Sequence, residues 1–286
     1  MSTAHTPHMR PRKPAWRRRP RAQGHVPADP AVHASPRLTA QRLARRVLGP
    51  TVRRLWPIEL AGFDDVPAQG PVILCANHLS FFDSVFLLMT LKRTVYFIGK
   101  AEYLGSWKTR RLFPAMGMIP IDRDNGTRAM VALEAAADVL RGGAVLLVFP
   151  EGSRSRDGRL HRGYTGAARL AMSVGCPMLP VGITGTREIQ PPGARLPRPR
   201  RACSISIGKP VIVEQHDASG TRLAARTLTD QMMQRIAELS GQDYDPHYTK
   251  RADPRRTPPQ RQRHRDPLVA PLHSTGTAGP VLAFEP

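Results

Sequence analysis

The sequence is short of cysteine, short of aromatic residues and without a long apolar run, and each shortage removes a class of protein. Three cysteines in 286 residues, Cys75, Cys176 and Cys203, make no C-x-x-C pair and no even-numbered framework, so the thiols read as small core residues in a reducing compartment. Nowhere do about 18 apolar residues follow one another, and no transmembrane helix is expected. The N-terminus has no apolar stretch of about 7 to 15 residues behind its charges, and no secretory signal is expected. Aromatics are 6% of the chain, too few for basic residues interleaved with aromatics on a nucleic-acid-binding face. No G-x-S-x-G turn occurs, which removes the usual serine-hydrolase elbow.

What is abundant is positive charge and proline. The net charge is +21 and there are 29 prolines, but neither is spread evenly. Residues 1–37 carry eight Lys/Arg against one acid, residues 38–57 five Arg and no acid, and residues 249–286 seven bases against three acids. The flanks thus hold most of the charge, leaving about +5 for residues 58–248. Residues 1–37 and 249–286 read as basic, disordered tails that bury almost nothing. They can attract any polyanion without specificity.

Residues 38–57 form a separate element. At about 100° per residue Leu48, Val52, Leu55 and Trp56 share one sector, and Arg42, Arg46 and Arg53 another. Gly49 and Pro50 are expected to divide it into two short helices. Such an element fits a membrane interface; the alternative is that its apolar side packs on the following domain.

From 58 to 248 short apolar, β-branched runs alternate with longer helical ones, the pattern of a single α/β domain with a mostly parallel central sheet flanked by helices. Strands are expected at 72–75, 95–98, 118–121, 145–149, 178–183 and 204–207, apolar throughout as strands covered on both faces are. Helices are expected at 82–91, 128–141, 166–174 and 222–239. In the second, Met130, Leu133, Ala137 and Leu140 make one stripe, and Gly142-Gly143 the stop.

Four stretches carry the candidate chemistry. Asn77-His78-Leu79-Ser80-Phe81-Phe82-Asp83 leaves a strand and enters a helix. Five residues of regular helix would set His78 and Asp83 about 140° apart, so they meet only if the chain bends, with Ser80 as the natural cap of that bend. A neutral imidazole can take a proton from an attacking hydroxyl near pH 7, and a carboxylate on its other nitrogen fixes the tautomer. The competing reading is a capping box, Ser80-x-x-Asp83, whose acid only serves backbone amides. Gly117-Met118-Ile119-Pro120-Ile121-Asp122-Arg123 ends a strand with a guanidinium placed to grip a phosphate; the alternative is a surface ion pair with Asp122 or Asp124. Phe149-Pro150-Glu151-Gly152-Ser153-Arg154-Ser155 leaves a strand for a basic loop. There Gly152 allows close approach to a ligand, and Glu151 can hold an acceptor hydroxyl or position Arg123; an ordinary turn is the alternative. Leu179-Pro180-Val181-Gly182-Ile183 reads as a buried strand.

The order N-H-x4-D, G-x-I-x-I-x-R, F-P-E-G-S-R-S and an apolar Pro-Val strand, over about residues 66–183, resembles the glycerolipid acyltransferase family, whose type members are the 1-acylglycerol-3-phosphate acyltransferases. The resemblance implies that His78 and Asp83 are the catalytic dyad. It further implies that Arg123, Glu151 and Gly152, with Arg154 of the same loop, bind the phosphorylated acceptor, and that Pro180 shapes the acyl-donor side. The implied reaction moves a fatty acyl group from acyl-CoA or an acyl-carrier protein to a lysophospholipid hydroxyl, without metal or bound cofactor, in a protein peripheral to the cytoplasmic face of the cell membrane. The sequence departs from the pattern at Leu160-His161-Arg162-Gly163, where many relatives have Phe-Lys-x-Gly, so another lysolipid or hydroxylated lipid stays open as acceptor. A serine hydrolase using Ser80 and a polyanion-binding protein are the competing classes.

Overall fold

The structure, a computed structural model, describes residues 36–122, 126–194, 196–213 and 221–249, within a compact unit that runs to Thr249. Residues 1–35 and 250–286, which include nearly all of both expected tails, lie outside the described residues.

In chain order the elements are α1 (Pro36–Leu55), β1 (Ile58–Ala61), β2 (Val72–Ala76), α2 (Phe82–Thr90), β3 (Val95–Lys100), α3 (Trp107–Ala115), β4 (Met118–Ile121), α4 (Gly126–Arg141), β5 (Val145–Val148), β6 (Leu160–His161), α5 (Gly166–Val174), β7 (Met178–Thr184), α6 (Thr186–Ile189), β8 (Cys203–Ile207), α7 (Thr221–Ser240) and β9 (Tyr244–Asp245). Seven strands form one sheet in the order β1-β8-β7-β2-β5-β3-β4, and β6 and β9 form a separate pair. Within the large sheet only β7 and β8 run antiparallel; the other neighbours are parallel.

The two faces of the sheet carry separate cores. Val72, Leu74 and Ala76 of β2 pack with Phe86 and Leu87 of α2 and with Trp56. Ile73 and Cys75 pack with α4, α5 and α7 through Ala136, Leu140, Ala168, Met232 and Met233. The alternation within one strand is the period of two, applied to a strand buried on both sides. All three cysteines are free and buried, and burial pushes the Cys203 thiol up to about 12. At Gly182 of β7 an added Cβ would lie 2.5 Å from Leu239, so glycine lets α7 rest directly on the strand.

All six expected strands and four helices are present with small shifts at their ends. Two expectations fail. The first is the pair of short helices at 38–57: α1 is continuous from Pro36 to Leu55 with Pro50 inside it. Proline there removes one internal hydrogen bond and costs about 3 kcal/mol in an unsupported helix, but tertiary bonds grip the helix on both sides of it. The Gln41 amide donates to Val95 O at 2.7 Å and Met116 O at 2.8 Å and accepts from Val95 N at 3.1 Å. Arg45 donates to the carbonyls of Leu91 and Arg93, and Trp56 Nε1 donates to Arg198 O at 2.8 Å. The inward line is therefore Gln41, Arg45, Gly49, Val52 and Trp56, while Leu48 and Leu55, expected beside Val52 and Trp56, face outwards. The second failure is Met130, placed in the core stripe of α4 but 64% exposed. The buried stripe is Ala132, Ala136, Ala137, Val139 and Leu140, with Leu133 at its edge, so Ala137 and Leu140 stand as expected; it shares one core with Ala167, Ala168 and Ala171 of α5.

The elements that escaped the sequence reading lack a pattern. Helix α3 exposes Trp107 and Leu112 and contains Pro114, so no apolar stripe marks it. Strand β1 is a mostly exposed edge, and β6 and β9 are two residues each.

Gln41 is buried and satisfies three backbone groups, so Gln41→Ala is expected to lower unfolding stability by about 3 kcal/mol, the cost of leaving them unpaired. Leu43→Ala on the outer face should stay within about 0.5 kcal/mol. Urea unfolding of the two variants checks the contrast.

Candidate active site

Strands β2 and β5 are hydrogen-bonded neighbours, yet their connections leave in opposite directions. From β2 the chain crosses β5 through α2 to reach β3; from β5 it crosses back over β2 through α5 to reach β7. Helices α2 and α5 lie on opposite faces. Such a reversal opens a crevice at the carboxyl ends of the two strands, where open α/β sheets bind ligands. His78 stands just beyond β2, and Glu151 just beyond β5.

Asp83 lies in the first turn of α2 and is fully buried. Its Oδ2 accepts three bonds: from the backbone N–H groups of Leu79 at 2.7 Å and Ser80 at 2.8 Å, and from His78 Nδ1 at 2.8 Å. The two backbone bonds fold the chain back at the helix start, the bend that the spacing demanded. The capping box and the dyad, rival readings of one motif, thus share one oxygen. The Ser80 hydroxyl, expected to cap the helix, accepts from Phe82 N at 3.3 Å. With Nδ1 committed to Asp83, Nε2 is the nitrogen left for an incoming hydroxyl. The Phe149 ring stacks on the imidazole at 3.8 Å between centroids and 15° between planes, which fixes the ring plane.

Asn77 ties this turn to the sheet. Its side chain donates to Ile183 O at 2.8 Å and accepts from Ile183 N at 2.7 Å, continuing the β2–β7 pairing one step beyond the end of β2. The loop after β5 grips His78 by its backbone. His78 N donates to Glu151 Oε1 at 3.1 Å, and Ser155 N donates to His78 O at 2.7 Å. The other Glu151 oxygen, Oε2, accepts from His161 N at 3.0 Å. Glu151 is 1% exposed, and burial pushes its carboxyl up to about 8 against the pull of those two donors, with Asp83 adding to the rise.

Of the expected acceptor-binding set, Glu151 is brought to His78, but both its oxygens serve backbone amides. Gly152 sits in the same turn at φ 75°, a conformation that favours glycine. Arg154 is exposed on that loop. Arg123 lies outside the described residues; Asp122, one of the acids it could have paired with, bonds Arg128 at 3.2 Å. Pro180 is buried in mid-strand opposite Cys75, with its ring towards Gly208, and is not at the His78 crevice. Asn77 and Phe149 were within the quoted motifs, and only their roles went unread. Among the described residues no group of three His, Cys, Asp or Glu side chains could hold a metal ion.

A buried carboxylate holds an imidazole at the switch point of an α/β sheet, an arrangement whose chemistry suits a general base. Residues 57–184 match the family model described as Acyltransferase. Among similar proteins, a chloroplast 1-acyl-sn-glycerol-3-phosphate acyltransferase of Brassica napus is 28% identical over 181 residues, 63% of this chain and 50% of its own. A 1-acyl-sn-glycerol-3-phosphate acyltransferase of Escherichia coli is 28% identical over 177 residues, 61% of this chain and 71% of its own. The crystal structure of the 1-acyl-sn-glycerophosphate acyltransferase from Thermotoga maritima superposes with a TM-score of 0.57 at 25% identity, covering 71% of this chain and 80% of that one. This chain spans half the length of the Brassica protein.

Burial of Glu151 gives a pH signature. The unfolded carboxyl releases its proton near the ordinary 4.5, the folded one near 8, so between those values the fold holds more protons than the unfolded chain. Its contribution to stability is full below about 4.5 and is lost as pH rises towards 8. Relative to Glu151→Gln, which carries no titrating group, the wild type should lose unfolding stability from pH 5 to 8. Parallel profiles from urea titrations at both ends of that range would show the group ionising normally.

Proposed function

We propose that the protein transfers a fatty acyl group from a thioester donor, acyl-CoA or an acyl-carrier protein, to the free hydroxyl of lysophosphatidic acid, giving phosphatidic acid for phospholipid biosynthesis. The observation that carries this is the 2.8 Å bond between His78 Nδ1 and a fully buried Asp83. The family match and the names of the relatives support the substrates. Asp83 holds the tautomer and steadies the imidazolium. His78 Nε2 takes the proton from the acceptor hydroxyl, whose oxygen forms the ester bond to the acyl carbonyl. The carbon–sulfur bond breaks, and the departing thiolate takes the proton from His78. Arg123 is assigned to the acceptor phosphate, with Gly152 and Arg154 beside it, and phosphate binding holds the hydroxyl near attack distance. The displacement draws on side chains and needs no metal or bound cofactor. Pro180 is assigned to the donor side through the sheet it shapes.

Ser80 is fully buried and its hydroxyl lies between Gln190 O and Phe82 N, which speaks against a serine nucleophile. His78→Ala is expected to lower acyl transfer to lysophosphatidic acid by about 10²- to 10⁴-fold, whereas Ser80→Ala retains most of it. A radiolabelled acyl-CoA assay over a panel of lysolipids measures both, and full activity in His78→Ala sinks the proposal.

Peripheral attachment to the membrane is part of the proposal. Among the described residues no helix is long and apolar enough to cross a membrane. The outer face of α1 leaves Leu43 60%, Val47 60% and Leu48 52% exposed among Arg42, Arg46, Arg53 and Arg54. Apolar side chains can enter the headgroup boundary there while each arginine near an anionic leaflet adds about 1 kcal/mol. Leu43→Asp with Val47→Asp should reduce co-sedimentation with phosphatidylglycerol vesicles several-fold and leave the fold intact. Equal sedimentation of variant and wild type excludes this face. Removing residues 1–57 is a poorer test, because it takes away Gln41, Arg45 and Trp56.

A further inference from the structure

The segment after α7 is outside the stretch that matches the family, yet it is bound to the loop that holds His78. Strand β9 pairs with β6, Leu160 opposite Tyr244 and His161 opposite Asp245. On either side of that pair Leu160 N donates to Asp243 O at 2.9 Å, and Arg162 N donates to His247 O at 3.1 Å. Tyr248 stacks on Tyr164 with centroids 4.6 Å apart and lies under the Arg162 guanidinium at 5.3 Å. Arg159 and Asp245 form an ion pair at 3.1 Å.

Gln242 reaches further. Its Nε2 donates to Gly158 O at 2.7 Å, and its Oε1 accepts from Asn77 Nδ2 at 2.6 Å. One side chain therefore bridges the basic loop after β5 to the residue next to His78. A second route runs through the backbone. The β6–β9 pair sets the position of His161, whose N–H is bonded to Glu151, and the other oxygen of Glu151 is bonded to the N–H of His78.

We propose that residues 241–249 form a strap that positions the catalytic imidazole, with Gln242 as its principal positioning residue. This rests on the assignment of His78 as general base. The strap touches no reacting atom; it holds the loop from Glu151 to Arg162 against the turn from Asn77 to Ser80. Opening it releases the His78 backbone on the loop side while Asp83 still holds it on the helix side. Misplacement of a base by about 1 Å costs on the order of 10²-fold in rate, so the strap governs turnover more than substrate affinity.

The test uses the full chain with Gln242→Ala and, separately, Asp245→Ala. Two readouts are taken: steady-state transfer from acyl-CoA to lysophosphatidic acid, and amide hydrogen exchange resolved to short peptides. The expected result for Gln242→Ala is a fall in kcat of about 10-fold or more, with both KM values within about twofold. Faster exchange is expected at the amides of His78 and His161, and unchanged exchange in β2, β5 and β7. Asp245→Ala should speed exchange at His161 in the same way. A kcat within about twofold of wild type, or faster exchange spread evenly over the sheet, overturns the strap. If the wild type transfers no acyl group, the proposed reaction fails, and the exchange arm still decides by itself whether the strap holds the His78 turn.

Discussion

Everything at this site depends on one buried oxygen, Asp83 Oδ2. Three N–H donors converge on it, two from the backbone of Leu79 and Ser80 and one from His78. The backbone pair bends the chain so that His78 can return over the start of α2, and the third bond sets the imidazole tautomer. Helix initiation and base orientation are therefore one device. The donors also compensate for burying a carboxylate, which without partners would cost several kcal/mol.

The sequence showed the frame of this device well and its supports poorly. The parallel strands were readable because their runs are apolar on both faces, and the site's location followed because each motif begins where a strand ends. Spacing left His78 and Asp83 open between a dyad and a helix cap, and the family resemblance favoured the dyad; whether they meet depended on backbone bonds to Leu79 and Ser80 that spacing does not encode. Glu151 was visible as a residue and misleading as a role. The loop suggested an acid that holds an acceptor hydroxyl or positions Arg123, whereas the carboxyl is turned inwards to two amides, one of them the amide of the candidate base. Strand β9 and Gln242 were invisible because a two-residue pairing with a partner about eighty positions away leaves no periodicity.

The two carboxyls at the crevice are kept apart by their surroundings. Asp83 has three donors on a single oxygen. Glu151 has one donor on each of two oxygens, and burial outweighs them, pushing it up to about 8. Asp83 faces the imidazole directly, whereas Glu151 reaches only the backbone N–H of His78.

The crevice also has one firm wall and one softer one. The wall from Asn77 to Asp83 is built on β2 and α2, whose residues are buried in the core. The opposing loop from Glu151 to Arg162 is held by the short β6–β9 pair, by Gln242 and by Arg159–Asp245. That ion pair is half exposed on its arginine side, and such pairs contribute about 0–1 kcal/mol. A two-residue ladder is itself marginal. The loop wall should therefore open at a fraction of the free energy needed to disturb the sheet. The imidazole is thus held from the firm side by Asp83 and met from the other by a loop whose own attachments are few and short.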